Sequence, residues 1–139
     1  MAQVESKPRA TSSREDRQEV LKRIKDEGVE FLLLWFTDLE GHLKSFAISP
    51  AELENALEDG MTFDGSAIDG FSRVQESDVL AMPDANTFEV LPWGDPKSVE
   101  ARVFCDIHQL DGEPFAGDPR QVLRRNLAAA HDQGFTLYV

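Results

Sequence analysis

Residues 30–48, EFLLLWFTDLEGHLKSFAI, contain the stretch that decides the fold. The strongest strand signal of the chain runs through residues 30–38, because large apolar and aromatic residues follow one another from Phe31 to Phe36. Residues 39–42 form a turn around a glycine, and residues 43–48 make a second strand. Two strands joined by a short glycine-containing turn predict a β-hairpin.

Helix signals flank this hairpin on both sides. The helix before it runs to about residue 27 and can be capped in two ways, by Ser12 with Glu15 or by Ser13 with Asp16. The helix after it starts at Ser49-Pro50-Ala51-Glu52, where serine is the cap, proline occupies the first turn and glutamate follows three residues after the cap. A glycine follows each helix and predicts its end.

The second half of the chain repeats these signals with shorter elements. Three more strands are predicted, at residues 79–82, 87–93 and 100–107. A last helix opens at Asp118-Pro119, with an apolar stripe formed by Leu123, Leu127 and Ala130. Residues 135–139 start another strand, and the sequence stops within it. We therefore interpret the chain as a piece cut from a longer one. Together the elements predict an α+β fold, a small and mostly antiparallel sheet packed by helices.

Between these halves lies a polar, glycine-rich stretch, TFDGSAIDGF at residues 62–71. Asp64-Gly65 and Asp69-Gly70 are both turn dipeptides, so the stretch predicts a tight loop holding two carboxylates and one hydroxyl. Such acceptors suit a small cation or a proton, although plain turn chemistry explains an Asp-Gly pair equally well. A phosphate-binding loop is excluded, because Phe71-Ser72 stands where a lysine would be required.

Composition limits the classes of function. The chain has 139 residues, a hydrophobic content of 41% and a formal charge of −12, which argues against nucleic acid or an anionic membrane as a partner. Its single cysteine, Cys105, excludes an intramolecular disulfide and lies in an apolar strand, where a buried, inert thiol is expected. Residues 1–12 are predicted to be a disordered tail, and no apolar run is long enough for a signal or a membrane span. We expect a cytoplasmic protein.

Common catalytic patterns are missing from the sequence. The histidines, His42, His108 and His131, are far apart and lack metal-ligand spacing. No nucleotide-binding fingerprint and no nucleophile elbow occur. The sequence therefore predicts no metal site of its own.

An ordered series of short motifs is more specific than any one motif alone. The series consists of Trp35-Phe36-Thr37-Asp38, Gly41, Lys44-Ser45, Phe63-Asp64-Gly65-Ser66 with Ile68 and Gly70-Phe71, Glu76-Ser77-Asp78, Pro83-Asp84, Pro92-Trp93, Cys105-Asp106 and Asp118-Pro119-Arg120. Over residues 15–139 this series resembles the N-terminal β-grasp domain of type I glutamine synthetase. The resemblance implies a β-grasp domain at residues 13–117, followed at residues 118–139 by the first helix and strand of a truncated C-terminal catalytic domain.

The resemblance also implies a reaction and a set of site residues. Members of this family use ATP to phosphorylate the γ-carboxylate of glutamate, and ammonia then displaces the phosphate. Their N-terminal domain lends its Asp-Gly-Ser loop to the catalytic domain of a neighbouring subunit in a homo-oligomeric ring, expected to be a dodecamer. By this resemblance Asp64 binds ammonium and accepts its proton, and Ser66 shapes the loop. Phe71 lies at the nucleotide edge, and Arg73 reaches across the subunit contact.

Two departures from the family pattern leave alternatives open. Ala67 stands where many members have a second serine of the ammonium pocket, so the resemblance extends to actinobacterial paralogues that glutamylate polyamines or other amines. The parts of the family that hold ATP and Mg²⁺ or Mn²⁺ have no counterpart in this chain, so no cofactor is expected to bind it alone and it should be inactive by itself. It is either a domain of such a ligase, a fragment of a split enzyme, or a stand-alone β-grasp domain that regulates a partner.

Overall fold

The computed structural model describes residues 12–65 and 78–138 of the chain. Its helices are α1 (Arg14–Glu27), α2 (Pro50–Asp59) and α3 (Pro119–Asp132), and its strands are β1 (Val29–Thr37), β2 (Leu43–Ile48), β3 (Met61–Asp64), β4 (Asp78–Pro83), β5 (Glu89–Val90) and β6 (Val99–His108). The α+β prediction is confirmed. The predicted tail, residues 1–12, lies outside the described residues except for its last position.

Within the described residues the strands form one six-stranded sheet. Its order is β2-β1-β6-β4-β3, and β5 pairs with β6. The two central strands, β1 and β6, run parallel, whereas every other pair is antiparallel. The predicted hairpin is confirmed, with Leu32 opposite Ile48 and Thr37 opposite Leu43. The sheet is thus mostly antiparallel, as the sequence predicts.

The caps of the first two helices follow the sequence pattern. Of the two alternatives for α1, the structure has the Ser13 cap. The amide of Asp16 donates to Ser13 Oγ at 3.1 Å, and the amide of Ser13 donates to Asp16 Oδ2 at 2.7 Å. At the start of α2 the amide of Ser49 donates to Glu52 Oε2 at 2.9 Å. Each pair satisfies amides that the first helical turn leaves unbonded.

One face of the sheet packs against α1 and α2. The core joins helix residues to the inward-facing strand residues, which are Val20, Ile24, Leu53, Ala56 and Leu57 from the helices and Leu32, Leu34, Phe36, Val79, Ala81, Ala101, Val103, Cys105 and Ile107 from the strands. The alternation along β6 places Val103 and Cys105 inside. Burial of this apolar surface is the main force that holds the sheet and these two helices together.

Three predictions about strands are wrong in part. Residues 61–64 form β3 and not a loop, because Met61 and Phe63 are half-buried while Thr62 and Asp64 are exposed, the alternation of a strand. The strand predicted at residues 87–93 shrinks to β5, because the chain first makes a 3₁₀ turn at Ala85–Thr87.

The strand predicted at residues 135–139 is also wrong for the positions that the structure describes. Residues 135–138 have no strand pairing there, and Phe135, Leu137 and Tyr138 are exposed. A strand requires a hydrogen-bonded neighbour, and none of the described residues provides one.

Helix α3 begins and ends close to prediction. Its predicted apolar stripe is exposed at Leu123 and Leu127 and half-buried at Ala130. Gln121 is the residue of α3 that the structure buries. None of the three described helices has the length and apolarity that crossing a bilayer requires.

Candidate functional site

Asp64 is the last residue of β3, at the edge of the sheet. It lies opposite Asp78, the first residue of β4, in the antiparallel ladder. Both residues are exposed, so two carboxylates stand next to each other where the two strands lead into residues 66–77. Two neighbouring carboxylates create a negative potential that attracts a cation.

Strand β3, which carries Asp64, is packed against aromatic side chains and against β4. The ring of Phe63 lies with its centroid 5.0 Å from that of Phe36 and 5.5 Å from that of Phe46. At the start of the strand, Gly60 has φ +77°, and a Cβ there would lie 2.5 Å from Met82 Sδ. The backbone therefore approaches β4 more closely than any other residue would allow. The exposed carboxylate of Asp64 projects from a short strand whose other face is packed.

The remaining site residues predicted from the sequence fall in residues 66–77. Ser66, Ala67, Phe71 and Arg73 all lie outside the described residues, so their roles stay predictions. Asp69, the second carboxylate of the predicted loop, lies there as well.

A second polar group, formed by Asp38, His42 and Lys44, locks the β1–β2 hairpin. Asp38 is buried, and its Oδ1 accepts from the amides of Glu40 at 3.0 Å and His42 at 2.8 Å. Its Oδ2 lies 3.4 Å from His42 Nδ1 and 3.6 Å from Lys44 Nζ. Burial raises the pKa of Asp38, but the amide hydrogen bonds and the two positive groups outweigh it and hold the pKa below its ordinary value.

A third polar group joins α3 to the sheet. Asp84 directly follows β4 and Asp106 lies in β6, and both carboxylates are buried. Arg120 and Arg124, one turn apart on α3, reach them, with Arg120 Nη2 at 2.7 Å from Asp84 Oδ2 and Arg124 Nη1 at 2.8 Å from Asp106 Oδ2. Sequence reasoning used some of these residues only as family motifs. The sequence did contain a signal for this group. Two arginines four positions apart after a helix cap lie on one face of the helix and can reach the same partners.

The cap of α3 belongs to the same region. Asp118 is fully buried, and its carboxylate accepts from the amide of Ile107 at 2.9 Å and from the amide of Arg120 at 3.1 Å. Burial raises the pKa of Asp118, and the two amide hydrogen bonds offset this only in part. Burial next to Asp106 also raises the pKa of the Cys105 thiol far above its usual range. That thiol is buried, as predicted, and is not a nucleophile at neutral pH.

The histidines do not meet in space. His108 is buried, with Nδ1 at 2.9 Å from the carbonyl oxygen of Gly112, while His42 lies in the hairpin turn and His131 near the end of α3. Among residues 12–65 and 78–138, no group of three or more histidine, cysteine, aspartate or glutamate side chains is placed to hold a metal ion.

Comparison with known families identifies the fold. The family model described as "Glutamine synthetase, beta-Grasp domain" matches residues 28–110, which include all six strands and Asp64. The chain belongs to the glutamine synthetase family. The resemblance seen in the sequence is thereby confirmed, and so is the β-grasp fold.

Curated relatives support the same assignment. Over 128 residues the chain is 56% identical to a glutamine synthetase of Mycolicibacterium smegmatis and 53% identical to one of Mycobacterium tuberculosis, with 89% of this chain and 29% of each relative covered. A glutamine synthetase of Thermotoga maritima is 47% identical over 121 residues. The chain spans less than a third of the length of these relatives.

Two solved structures have a fold similar to that of this chain. A GmaS–ADP complex superimposes with a TM-score of 0.73 and 29% sequence identity, covering 82% of this chain and 26% of that one. GmaS without ligand gives the same TM-score and identity. The glutamine synthetase β-grasp fold of this chain is therefore supported by both sequence and structure. Helix α3 lies beyond residues 28–110, the segment that the family model matches.

Proposed function

We propose that this chain is the N-terminal domain of a glutamine synthetase-like ligase and that Asp64 contributes its carboxylate to an active site completed by another subunit. The observation that carries the proposal is the position of Asp64, exposed at the end of β3 inside the segment matched by the glutamine synthetase model. A site shared between subunits needs an exposed carboxylate on a well-packed element, and Asp64 at the end of β3 meets both conditions.

In this proposal ATP phosphorylates the γ-carboxylate of glutamate, and ammonia attacks the carboxyl carbon of the resulting γ-glutamyl phosphate and displaces phosphate. Ammonium must first lose a proton, because its nitrogen has no lone pair for the attack. The Asp64 carboxylate binds the ammonium ion by charge and hydrogen bonding and takes that proton. The neighbouring carboxylate of Asp78 increases the negative potential that attracts the cation.

The catalytic partner in this proposal is the C-terminal domain of a neighbouring subunit in a homo-oligomeric ring. ATP and the Mg²⁺ or Mn²⁺ ions are bound there, and the described residues of this chain provide no three-ligand cluster for them. The relatives are more than three times as long as the segment they share with this chain, which leaves room for such a domain. On its own the 139-residue chain is expected to be inactive.

A larger amine is the second candidate for the acceptor. It is favoured by Ala67, which removes one hydroxyl acceptor that many family members have. The higher identity to proteins named glutamine synthetase favours ammonium. Comparing ammonium with ethanolamine and polyamines as substrates decides between the two acceptors.

The test is amine-dependent phosphate release from glutamate and ATP, measured with the complete gene product that carries these residues and with residues 1–139 alone. We expect Asp64→Ala to lower kcat/KM for the amine by about 100-fold or more, because general-base and charge stabilisation are lost together. The matched control is Asp59→Ala, which removes the same charge from an exposed position at the end of α2 and should change the rate by less than about twofold.

Two results would count against the proposal. Full activity of Asp64→Ala would remove Asp64 from the reaction. No activity of the complete gene product, together with binding of this domain to a synthetase in a pull-down, would favour a regulatory β-grasp domain.

A further inference from the structure

Arg102 carries a positive charge on the face of the sheet that does not pack against α1 and α2. The core side of the central strands is formed by residues such as Leu34 in β1 and Val103 in β6. Because side chains alternate along a strand, Trp35, Arg102 and Phe104 lie on the opposite face. All three are half-buried. We call these three residues the arginine patch.

Two aromatic rings hold the guanidinium of Arg102. Its central carbon lies 4.9 Å from the centroid of the Phe104 ring and 5.7 Å from that of the Trp35 ring. The two rings meet edge to face, with centroids 5.8 Å apart. Both guanidinium distances fall within the range of a cation–π contact. Stacking of this kind fixes the plane of the guanidinium, so less freedom is lost when it forms a further hydrogen bond.

A hydrogen bond fixes one edge of the same group. Arg102 Nη1 donates to the carbonyl oxygen of Thr87, which ends the 3₁₀ turn Ala85–Thr87. Thr87 is itself tied to β6, because its hydroxyl oxygen accepts from the amide of Phe104 at 2.8 Å. The guanidinium is thus oriented by contacts on its faces and at one edge.

Within residues 12–65 and 78–138, no carboxylate neutralises Arg102. Glu89 lies opposite it in the pairing of β5 with β6 but makes no ion pair with it. Its Nη2 and Nε donate to none of these residues either. Arg120, in contrast, contacts the buried Asp84 at 2.7 Å. The chain has 26 acidic and 14 basic residues, so Arg102 lacks an acidic partner although carboxylates are abundant.

We propose that the arginine patch binds a carboxylate side chain of a second copy of this protein. A planar guanidinium with a fixed orientation fits a carboxylate through two parallel hydrogen bonds. The rings of Trp35 and Phe104 shield such a pair from water, which strengthens it. The inference rests on the homo-oligomer of the proposed function and assigns one of its contacts.

The charge of the chain favours a second copy as the partner. The formal charge of −12 makes two copies repel each other. A stable contact between them therefore needs points where a basic group of one copy meets an acidic group of the other. Arg102 supplies the basic group, and a second copy has acidic groups in excess. The same net charge repels nucleic acid and other polyanions.

The test uses the complete gene product and measures the subunit concentration at which its oligomer half dissociates, by analytical ultracentrifugation. Arg102→Gln should raise this concentration by about tenfold or more, because the partner carboxylate loses its cation. Arg102→Glu should raise it by about a further tenfold, because two carboxylates then face each other. A role confined to stacking and to the Thr87 hydrogen bond would make the two variants equal.

The matched control is Arg14→Gln. Arg14 is exposed at the start of α1, which packs on the other face of the sheet, and the change removes the same charge. It should shift the half-dissociation concentration by less than about twofold.

Three outcomes would overturn the proposal. One is an Arg102→Gln effect on assembly no larger than that of Arg14→Gln, and another is an equal effect of Arg102→Gln and Arg102→Glu. The third is a complete gene product that stays monomeric at every concentration, which would also remove the shared site from the proposed function. The first two leave the role of Asp64 untouched, since that role is tested by phosphate release.

The unaltered protein provides an independent test if the Arg102 variants do not fold. Phenylglyoxal modifies accessible arginine side chains, and peptide mass spectrometry measures the rate at each position. In the assembled protein Arg102 should react about fivefold or more slowly than in the diluted, dissociated protein, because a contact at the patch excludes water and reagent. Arg14 should change by less than about twofold. Equal rates at Arg102 in both states would overturn the proposal.

Discussion

Helices α1 and α3 have the same length, 14 residues each, yet they are attached to the sheet by opposite means. Helix α1, together with α2, buries apolar side chains in the core. Helix α3 exposes its apolar face and is held by buried carboxylates and two arginines. Apolar burial is non-directional, whereas hydrogen-bonded ion pairs between guanidinium and carboxylate groups have a preferred geometry. The apolar contacts of α1 and α2 therefore stabilise the domain, whereas the ion pairs of Arg120 and Arg124 orient α3.

The largest expected effect comes from the apolar side of this comparison. Leu53→Ala removes a fully buried side chain of α2 and should lower the free energy of unfolding by about 2–5 kcal/mol through lost burial and a remaining cavity. Leu123→Ala makes the same chemical change in α3 at a side chain that is 53% exposed, and we expect a change within about 0.5 kcal/mol. Urea denaturation measures both. Equal losses would mean that α3 is packed like α2.

A smaller effect is expected at the polar cap of α3. Asp118→Ala removes the acceptor of two amides, those of Ile107 and Arg120. Since the Ile107 amide bonds to a fully buried side chain, we expect a loss of about 1–3 kcal/mol in urea denaturation. Ser13→Ala removes the exposed cap of α1 and should cost about 1 kcal/mol or less. A larger loss at Ser13 would contradict the view that buried polar contacts attach α3.

The smallest effect concerns the hairpin lock and depends on pH. The pKa of Asp38 is lowered in the folded state, so its carboxylate adds stability above the ordinary aspartate pKa of about 3.9, and this stability is lost as pH falls through the folded-state pKa. Asp38→Asn should therefore be less stable than the unaltered chain at pH 7, with a difference that shrinks below about pH 4.

The control for this change is Asp95→Asn, which removes a charge from an exposed turn where Asp95 Oδ1 accepts from the amide of Lys97 at 2.9 Å. It measures what the loss of one negative charge does in a chain of formal charge −12. A stability difference at Asp38 that stays constant from pH 7 to pH 3 would show that the charge of Asp38 contributes nothing.

Local sequence signals predicted the first half of the fold well. The β1–β2 hairpin and the start of α2 depend on contacts between residues a few positions apart, so residues 30–48 and the cap at Ser49 were sufficient. Strand β3 was missed because it has only four residues and runs directly into a glycine-rich stretch. Phe63 of β3 packs against Phe36 and Phe46. These residues are distant from it in sequence, so no local pattern predicts the contacts.

The candidate sites divide in the same way. Asp64 was predicted from local motifs, whereas the ion pair between Arg120 and Asp84 joins residues 36 positions apart. The apolar stripe of α3 was predicted from its spacing, and the exposure of Leu123 and Leu127 was not. A periodic pattern shows which face of a helix is apolar, and only the tertiary structure shows whether that face is covered.

The most direct test of the proposed function mixes two variants of the complete gene product. One carries Asp64→Ala, and the other keeps Asp64 but is inactivated in the proposed catalytic domain. If Asp64 acts in the site of a neighbouring subunit, oligomers assembled from both variants contain some intact sites and should release phosphate well above either variant alone. If the mixed oligomers stay as inactive as the separate variants, Asp64 does not act across a subunit contact and the account is wrong.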